Sequence, residues 1–223
     1  PTEAGTSLSN LNSVINGLTT GPDYHYRMVA SNAFGVVVGT DGSFNLASLL
    51  PVATTVPLNT NEMDPHQAVL RGLVSPSGLS TTSWFEWGTT TNYGAATPPQ
   101  IVPGGVGSTN LSETIAGLVK ATTYHFRCVA TNSVGASYGS NATFTTPLSF
   151  VVTNLADSGT GSLRQRISIA QSNDIITFAV NGTLVLTSSE LSIPKNLTIA
   201  GPGPASLAIS GNNARRIFNI SSG

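Results

Sequence analysis

Apolar and polar residues alternate strictly through residues 123–131. Tyr124, Phe126, Cys128 and Ala130 fall on one side, and His125, Arg127, Val129 and Thr131 on the other. A period of two is that of a strand with one buried face. The same alternation stands 100 residues earlier, with Tyr24, Tyr26, Met28 and Ala30 on the apolar side. The likeness runs over residues 15–44 and 115–144, which register without a gap; Ile, Gly-Leu, Tyr-His, Arg, Val-Ala, Asn, two later glycines and Phe coincide. A period this long is one whole domain rather than one coil of a solenoid. In each copy an Asn-x-x-Gly turn, Asn32 with Gly35 or Asn132 with Gly135, follows the strand, and a last strand ends at Phe44 or Phe144. The Gly-Leu pair ahead of each Tyr fits a tyrosine corner, where the hydroxyl bonds back to upstream backbone.

The remaining patterns fill in the chain around this repeat. Residues 47–57 read as a linker and first strand, with Pro51 and Pro57 suiting a sheet edge. Residues 68–74 form a second strand, 75–78 a turn, and 83–88 an aromatic-rich third strand. Residues 97–107, with three prolines and three glycines, read as a loop, and 109–115 lead into the second copy. Seven short strands of this kind predict an immunoglobulin-like sandwich. After Pro147 the character changes. A strand over 150–154 and a turn over 155–161 precede a helix over 163–172 that Ser162 caps. Leu163, Ile167 and Ala170 share one face of it with Ile169 beside them, while Arg164, Gln165 and Gln171 lie off it. Short apolar strands then follow at 175–178, 183–186, 191–193, 197–200, 207–210 and 217–220. Even spacing of this kind predicts stacked coils of a β-helix.

Two family resemblances rest on these residues. The pattern G-L-x(5)-Y-H-[FY]-R-x-V-A-x-N-x-x-G, with Trp84-Phe85-Glu86-Trp87-Gly88 and Asn92-Tyr93-Gly94 upstream, resembles bacterial fibronectin type III domains. It covers residues 51–147 fully and 1–47 in part, so the chain is expected to begin inside a domain. The second resemblance is to the N-terminal start of right-handed parallel β-helix domains of polymorphic outer-membrane and adhesin-like surface proteins. Its carriers are Val152-Thr153-Asn154, Asp157-Ser158-Gly159, Gly161-Ser162-Leu163-Arg164-Gln165, Asp174-Ile175-Ile176-Thr177-Phe178, Leu197-Thr198-Ile199, and Asn212-Asn213-Ala214-Arg215-Arg216. It implies that the short helix covers the open end of the coil stack, which would otherwise be a bare sheet edge. Roughly two coils precede the last residue, and further coils or a partner are expected to complete them.

Composition narrows the function. Charged residues make up only 9% of the 223, and Ser, Thr, Asn and Gly take their place, as in many secreted β proteins. A net charge of −1 gives no basic face for nucleic acid and no reason for membrane attraction. A single cysteine excludes an intrachain disulfide, and Cys128 reads as a small core residue or a reactive thiol. His25 and His125 stand on the outward face of equivalent strands, too far apart in the chain's organisation to share a metal. Arg27 and Arg127 are expected to cover sheet surface with their stems. Asp157 lies in a Gly-rich stretch that lacks the Lys-Ser/Thr of a phosphate loop and the alternating acids of a calcium loop, so a turn with local side-chain bonding is expected. Asp174, Glu190, Lys195, Arg215 and Arg216 are the charges that a lyase or glycosidase would use, yet no acid pair stands at coil spacing. Trp84 and Trp87 point to opposite faces, with Phe85 or Trp87 expected in the core and the other face open to sugar stacking or to covering its neighbour. Asn110, Asn141, Asn181, Asn196 and Asn219 fit the glycosylation acceptor pattern, which chance explains in so Asn- and Thr-rich a chain.

The expectation is thus an all-β chain of immunoglobulin-like (fibronectin III) sandwiches followed by a parallel β-helix with a short N-terminal capping helix. Residues 1–47 are half a domain, 48–147 a complete one, and 148–223 the start of the β-helix. No catalytic, cofactor or metal residue is assigned. The expected role is a non-catalytic extracellular structural or adhesive segment, with other protein chains, a copy of itself included, or surface glycans as partners, and neither nucleic acid nor membrane insertion. A filament subunit and an accessory region of a carbohydrate-active enzyme are the alternatives.

Overall fold

A computed structural model of the chain describes residues 10–19 and 21–221; residues 1–9 of the expected first unit lie outside them. Among the described residues the fold is all-β with one α-helix, Leu163–Ile169.

The two copies of the repeat fold alike, bond for bond. Asp23–Tyr26 pairs with Gly42–Asn45 and sets Tyr24 opposite Phe44; Thr123–Thr131 pairs with Ala142–Thr145 and sets Tyr124 opposite Phe144. The ring pairs stack at 5.5 Å in both. The backbone N–H of Thr19 donates to the Tyr24 hydroxyl at 2.8 Å, and that of Val119 to the Tyr124 hydroxyl at 3.0 Å, so both tyrosine corners form. The carboxamide oxygens of Asn32 and Asn132 accept from the N–H of Phe34 and Val134, closing both turns.

What differs is cover. In the second copy two antiparallel sheets enclose one core. Thr109–Ala116, Gln67–Ser75 and Val52–Val56 make one sheet, while Gln100–Val102, Thr81–Gly88, Thr123–Thr131 and Ala136–Tyr138 run through the other. Alternate residues of each strand face inward, so Ala68, Leu70 and Val74 meet Phe85, Phe126 and Cys128. Phe85 takes the core place, with Trp87 packed partly buried beside it. In the first copy no sheet faces the apolar side among the described residues. Tyr26 is 58% and Met28 61% exposed, whereas their counterparts Phe126 and Cys128 are fully buried.

Two expectations need correction. Residues 97–107 are not all loop, because Gln100–Val102 pairs antiparallel with Thr81, Thr82 and Ser83. Pro99 and Pro103 flank this strand without entering it, and an edge position tolerates them. Its alternation is that of a sheet edge, with Val102 buried and Ile101 exposed. The helix stops three residues early, at Ile169. Ala170 has left helical geometry at ψ 150°, and the Lys195 ammonium donates to the carbonyls of Ser168 and Ala170. Its start is as the sequence predicts, with Ser162 Oγ accepting from Gln165 N.

After Pro147 every strand pair among the described residues is parallel. Ser149–Val152, Asp174–Phe178 and Leu197–Ile199 form one ladder, Gly182–Val185 with Leu207–Ser210 a second, and Leu191–Ile193 with Phe218–Ile220 a third. Paired residues lie 23 to 27 positions apart in the chain: Asp174 meets Leu197, Gly182 meets Leu207, and Leu191 meets Phe218. Phe150, Val152, Ile176, Leu184 and Leu191 fill the interior, and Leu163 and Ile167 of the helix close one end of it. Ile169, beside that face, is partly exposed.

The repeat provides its own control. Phe126→Ala should lower unfolding stability by about 3–5 kcal/mol, the usual cost of an aromatic-sized core cavity. Tyr26→Ala, at the equivalent but uncovered position, should cost less than about 1 kcal/mol. Denaturant titration followed by Trp84 and Trp87 fluorescence measures the first and circular dichroism, which also reports the first copy, the second; equal losses at both positions would show that the first copy is covered in solution.

Candidate functional site

The structure scatters the residues that the sequence singles out. His25 is exposed and its Nδ1 lies 2.7 Å from Asp41 Oδ2; this hydrogen bond, with the Asp41 charge, raises its pKa. His125 Nδ1 lies 3.3 Å from Asn141 Oδ1 at the equivalent place. Arg27 is exposed. Arg127 stacks between the rings of Tyr93 and Tyr138, at 4.8 and 4.3 Å, and pairs with Glu86. Trp84, on the face opposite Phe85, stands across from Val129 in the register. The five acceptor-pattern asparagines are exposed except Asn219, which is half-buried and donates to Glu190. Cys128 is buried, and that burial pushes its thiol up to about 11, away from reactive thiolate. Among the described residues no group of three or more His, Cys, Asp or Glu stands close enough to hold a metal ion.

The charges of the parallel-strand unit are all near one another in chemistry but not in purpose. Asp157, expected to bond its own turn, reaches across to residues 30 positions away. Its Oδ2 accepts from the N–H and hydroxyl of both Thr187 and Ser188. Its Oδ1 takes the Arg164 guanidinium, which also donates to the carbonyls of Ser189 and Glu190. Burial alone would raise the Asp157 pKa; these donors outweigh it and hold the carboxyl well below the usual range. Glu190 accepts from Arg216 and Asn219, and Lys195 caps the helix. Arg215 joins none of these pairs.

One constellation was not visible in the sequence: a polar joint between the two cores. Asp174, 1% exposed, begins the second rung of the first parallel ladder. Its Oδ2 accepts from Gln171 N at 2.8 Å and lies 2.8 Å from His66 Nε2, and its Oδ1 accepts from Lys120 Nζ at 2.9 Å. His66 sits in the turn between Met63–Asp64 and Gln67–Ser75, and Lys120 follows Leu118 ahead of the tyrosine-corner strand. His66 Nδ1 lies 3.0 Å from the Leu118 carbonyl, and Leu118 N–H donates back to the His66 carbonyl. A second bridge joins Arg166 of the helix to Asp64 at 2.8 Å, while the same guanidinium donates to the Val151 carbonyl. Burial raises the Asp174 pKa, but Lys120, Gln171 N–H and His66 outweigh it and the carboxyl is held low. His66 carries no local signature; only the 108-residue separation from Asp174, closed by the fold, gives it a role. The chemistry is that of a clasp, with both ring nitrogens of the histidine engaged and no free nucleophile.

No family model matches the chain, and no curated protein matches it. Solved structures with a likeness include the sensor domain of the anti-sigma factor RsgI4 of Pseudobacteroides cellulosolvens, at 19% identity over 44% of this chain and 94% of that one, TM-score 0.35. The chicken CNTN1 FN1–FN3 domains match at 16% identity over 60% and 46%, TM-score 0.26. A β-glucuronidase of Parabacteroides merdae matches at 9% over 62% and 24%, TM-score 0.26. No helix among the described residues is long and apolar enough to cross a membrane.

The pH dependence follows from Asp157 and Asp174. Both carboxyls are held low, so their contribution is complete above the ordinary carboxylate range and is lost as pH falls through their lowered values. Asp157→Ala, which leaves Arg164 without its carboxylate, should cost about 3–5 kcal/mol at neutral pH. Asp157→Asn should flatten the acid limb of thermal stability, measured by circular dichroism; an unchanged acid limb would remove Asp157 from the account.

Proposed function

We propose that this chain is a non-catalytic, extracellular structural or adhesive segment of a bacterial surface or secreted protein. In this reading fibronectin III-like sandwiches act as spacers, and residues 148–223 begin a parallel β-helix whose side walls meet other protein chains or surface glycans. Three observations support the architecture. Two tyrosine corners stand at equivalent places. The three parallel ladders repeat at one circuit per 23 to 27 residues, as Asp174–Leu197 and Leu191–Phe218 pair. The helix packs its Leu163–Ile167 face on the same interior.

The observation that carries the non-catalytic reading is the employment of the acids. A polysaccharide lyase or glycosidase needs carboxylates and a base converging on an open cleft. Here Asp157 staples two turns, Asp174 clasps the two cores, Glu190 pairs with Arg216, and Lys195 caps the helix. Each has its oxygen or ammonium committed to holding the fold. The accessory-region alternative leaves any catalysis outside these residues.

A second reading, a filament subunit completed by its neighbours, draws on two bare apolar surfaces. One is the uncovered side of the first copy, with Tyr26 and Met28 exposed. The other is a cavity of about 710 Å³ at the last coil, lined by Ile199, Leu207, Ile209, Phe218 and Ile220 among others. Each would be buried by added strands of its own kind.

The test is direct. Purified chain should bind bacterial or host surface material without depolymerising polysaccharide, and Glu190→Gln and Lys195→Met, which remove two of the charges that a lyase or glycosidase would use, should find no cleavage to abolish. Polysaccharide cleavage abolished by either substitution would overturn the reading. Sedimentation equilibrium separates the two: concentration-driven assembly favours the filament, and a stable monomer favours the spacer.

A further inference from the structure

The dipeptide Asn-Gly stands twice in the chain, at Asn16-Gly17 and at Asn181-Gly182. In this pair an asparagine side chain can readily meet the next backbone nitrogen, because glycine has no Cβ in the way. The fold treats the two pairs differently. Asn16 and Gly17 are exposed and lie in residues 10–19, none of which joins a strand ladder. A Cβ at Gly17 would meet nothing within 4 Å. Among the described residues nothing accepts the Gly17 N–H or bonds the Asn16 carboxamide. Gly182 instead opens the strand Gly182–Val185, and its N–H donates to the Ser206 carbonyl at 2.8 Å. The space beside it is filled too, since a Cβ there would lie 2.9 Å from Leu155 Cδ1.

We propose that Asn16 is a self-modification site, where the Gly17 nitrogen displaces the side-chain amide and leaves an aspartyl or isoaspartyl residue. The atoms balance with water as the one co-reactant. The Gly17 nitrogen gives up its proton and forms a bond to Asn16 Cγ. The Cγ–Nδ2 bond breaks, and ammonia leaves with that proton. The product is a five-membered succinimide, which water opens at one of its two carbonyl–nitrogen bonds. Opening at Cγ gives aspartate. Opening at the main-chain carbonyl gives isoaspartate, whose backbone runs through Cβ and Cγ and is one carbon longer. Nothing is oxidised or reduced.

At Asn181 the first step is held back in the folded chain, because the attacking nitrogen has its hydrogen engaged, and the ladder must open locally first. The one Asp-Gly pair, Asp41-Gly42, is held as well: Asp41 Oδ2 lies 2.7 Å from His25 Nδ1, and Gly42 pairs with Tyr26 in a ladder. The internal repeat shows what is added at Asn16. Gly17 and Gly117 share one conformation, at φ 76° and 77°, yet the residue before Gly117 is Ala116, which has no amide to lose. The turn ahead of each tyrosine corner thus uses the glycine, and only the first copy sets a reactive side chain beside it. The product places a carboxylate next to Ile15, which is exposed while its counterpart Ile115 lies in the second core. Burying the bare side of the first copy then costs the desolvation of a charge. This inference concerns the chemistry of one turn and rests neither on the spacer reading nor on the filament reading.

Peptide mapping by mass spectrometry on the unaltered full chain, held folded in mildly alkaline buffer, tests it. Residue 16 should gain the mass of an amide exchanged for an acid, with isoaspartate assigned by backbone fragmentation. Asn181 should convert at least about tenfold more slowly, the factor that an opening cost of about 1.4 kcal/mol gives. In denaturant the two pairs should convert at like rates, since neither N–H is then held. An Asn16 that stays intact in the folded chain while denaturant converts it would overturn the proposal, and so would equal rates for the two pairs in the folded chain. Anion-exchange chromatography gives a second readout. The acidic form that accumulates in the unaltered chain should be absent from Asn16→Gln over the same interval, and its undiminished appearance there would remove Asn16 as its source.

Discussion

The buried carboxylate of Asp174 is the constraint on which the relation between the two halves depends. Taking a carboxylate out of water costs several kcal/mol unless donors surround it. Here the donors come from both sides: Gln171 N–H from its own unit, Lys120 and His66 from the two-sheet unit. The charge is tolerated only while the two units stay together. Only residues 146–148 separate the last strand of one from the first strand of the other, so the covalent connection is short as well. A flexible linker would have made such a carboxylate a liability. A buried ion pair of this kind is weak evidence of added stability and better evidence of a fixed arrangement.

The internal repeat separates local from tertiary causes. Both copies make the tyrosine corner, the Asn-anchored turn and the stacked Tyr–Phe pair. Those features come from residues a few positions apart or on paired strands, so they form whether or not a second sheet is present. Burial does not. Phe126 and Cys128 owe it to the strands Val52–Val56 and Gln67–Ser75 across the core, where Thr55 Oγ1 even accepts from Cys128 N. Tyr26 and Met28 have the same strand under them and nothing over them. The alternation of a strand states which face wants cover, and only long-range contacts supply it.

This division also explains what the sequence made legible. The strand at 123–131, the Ser162 cap and the parallel-unit strands near 175–178, 191–193 and 207–210 carry period and capping signals within a few residues. The strand Gln100–Val102 was hidden because its flanking prolines read as loop, although they bound it rather than break it. The helix end was hidden because its cap is Lys195, a side chain three strands further on. Asp157 looked like a local turn residue, but its acceptors are filled from Thr187 and Ser188. His66 had no signal at all. Its two partners lie 52 and 108 residues away, and no pattern of spacing encodes such a meeting.

Low charge content gives these few ionic contacts their weight. With 9% charged residues, the chain cannot spread its charges as a solvated coat. Ser, Thr, Asn and Gly keep the surface wet instead. Some of the charges that remain, Asp174, Asp157, Asp64 and Arg166 among them, are drawn inward, to places where hydrogen-bonding geometry must offset desolvation. Arg164 and Arg166 stand two residues apart on the helix, yet one ties Asp157 to the loop at Ser189 and Glu190 and the other grips Asp64 of the neighbouring unit. The helix thus closes the parallel interior with its apolar face and fastens both units with its cations. A catalytic site would require some of these groups to be released from that duty. The physical cost of releasing them, an unpaired charge left against the core, is what holds each of these groups to its structural partner.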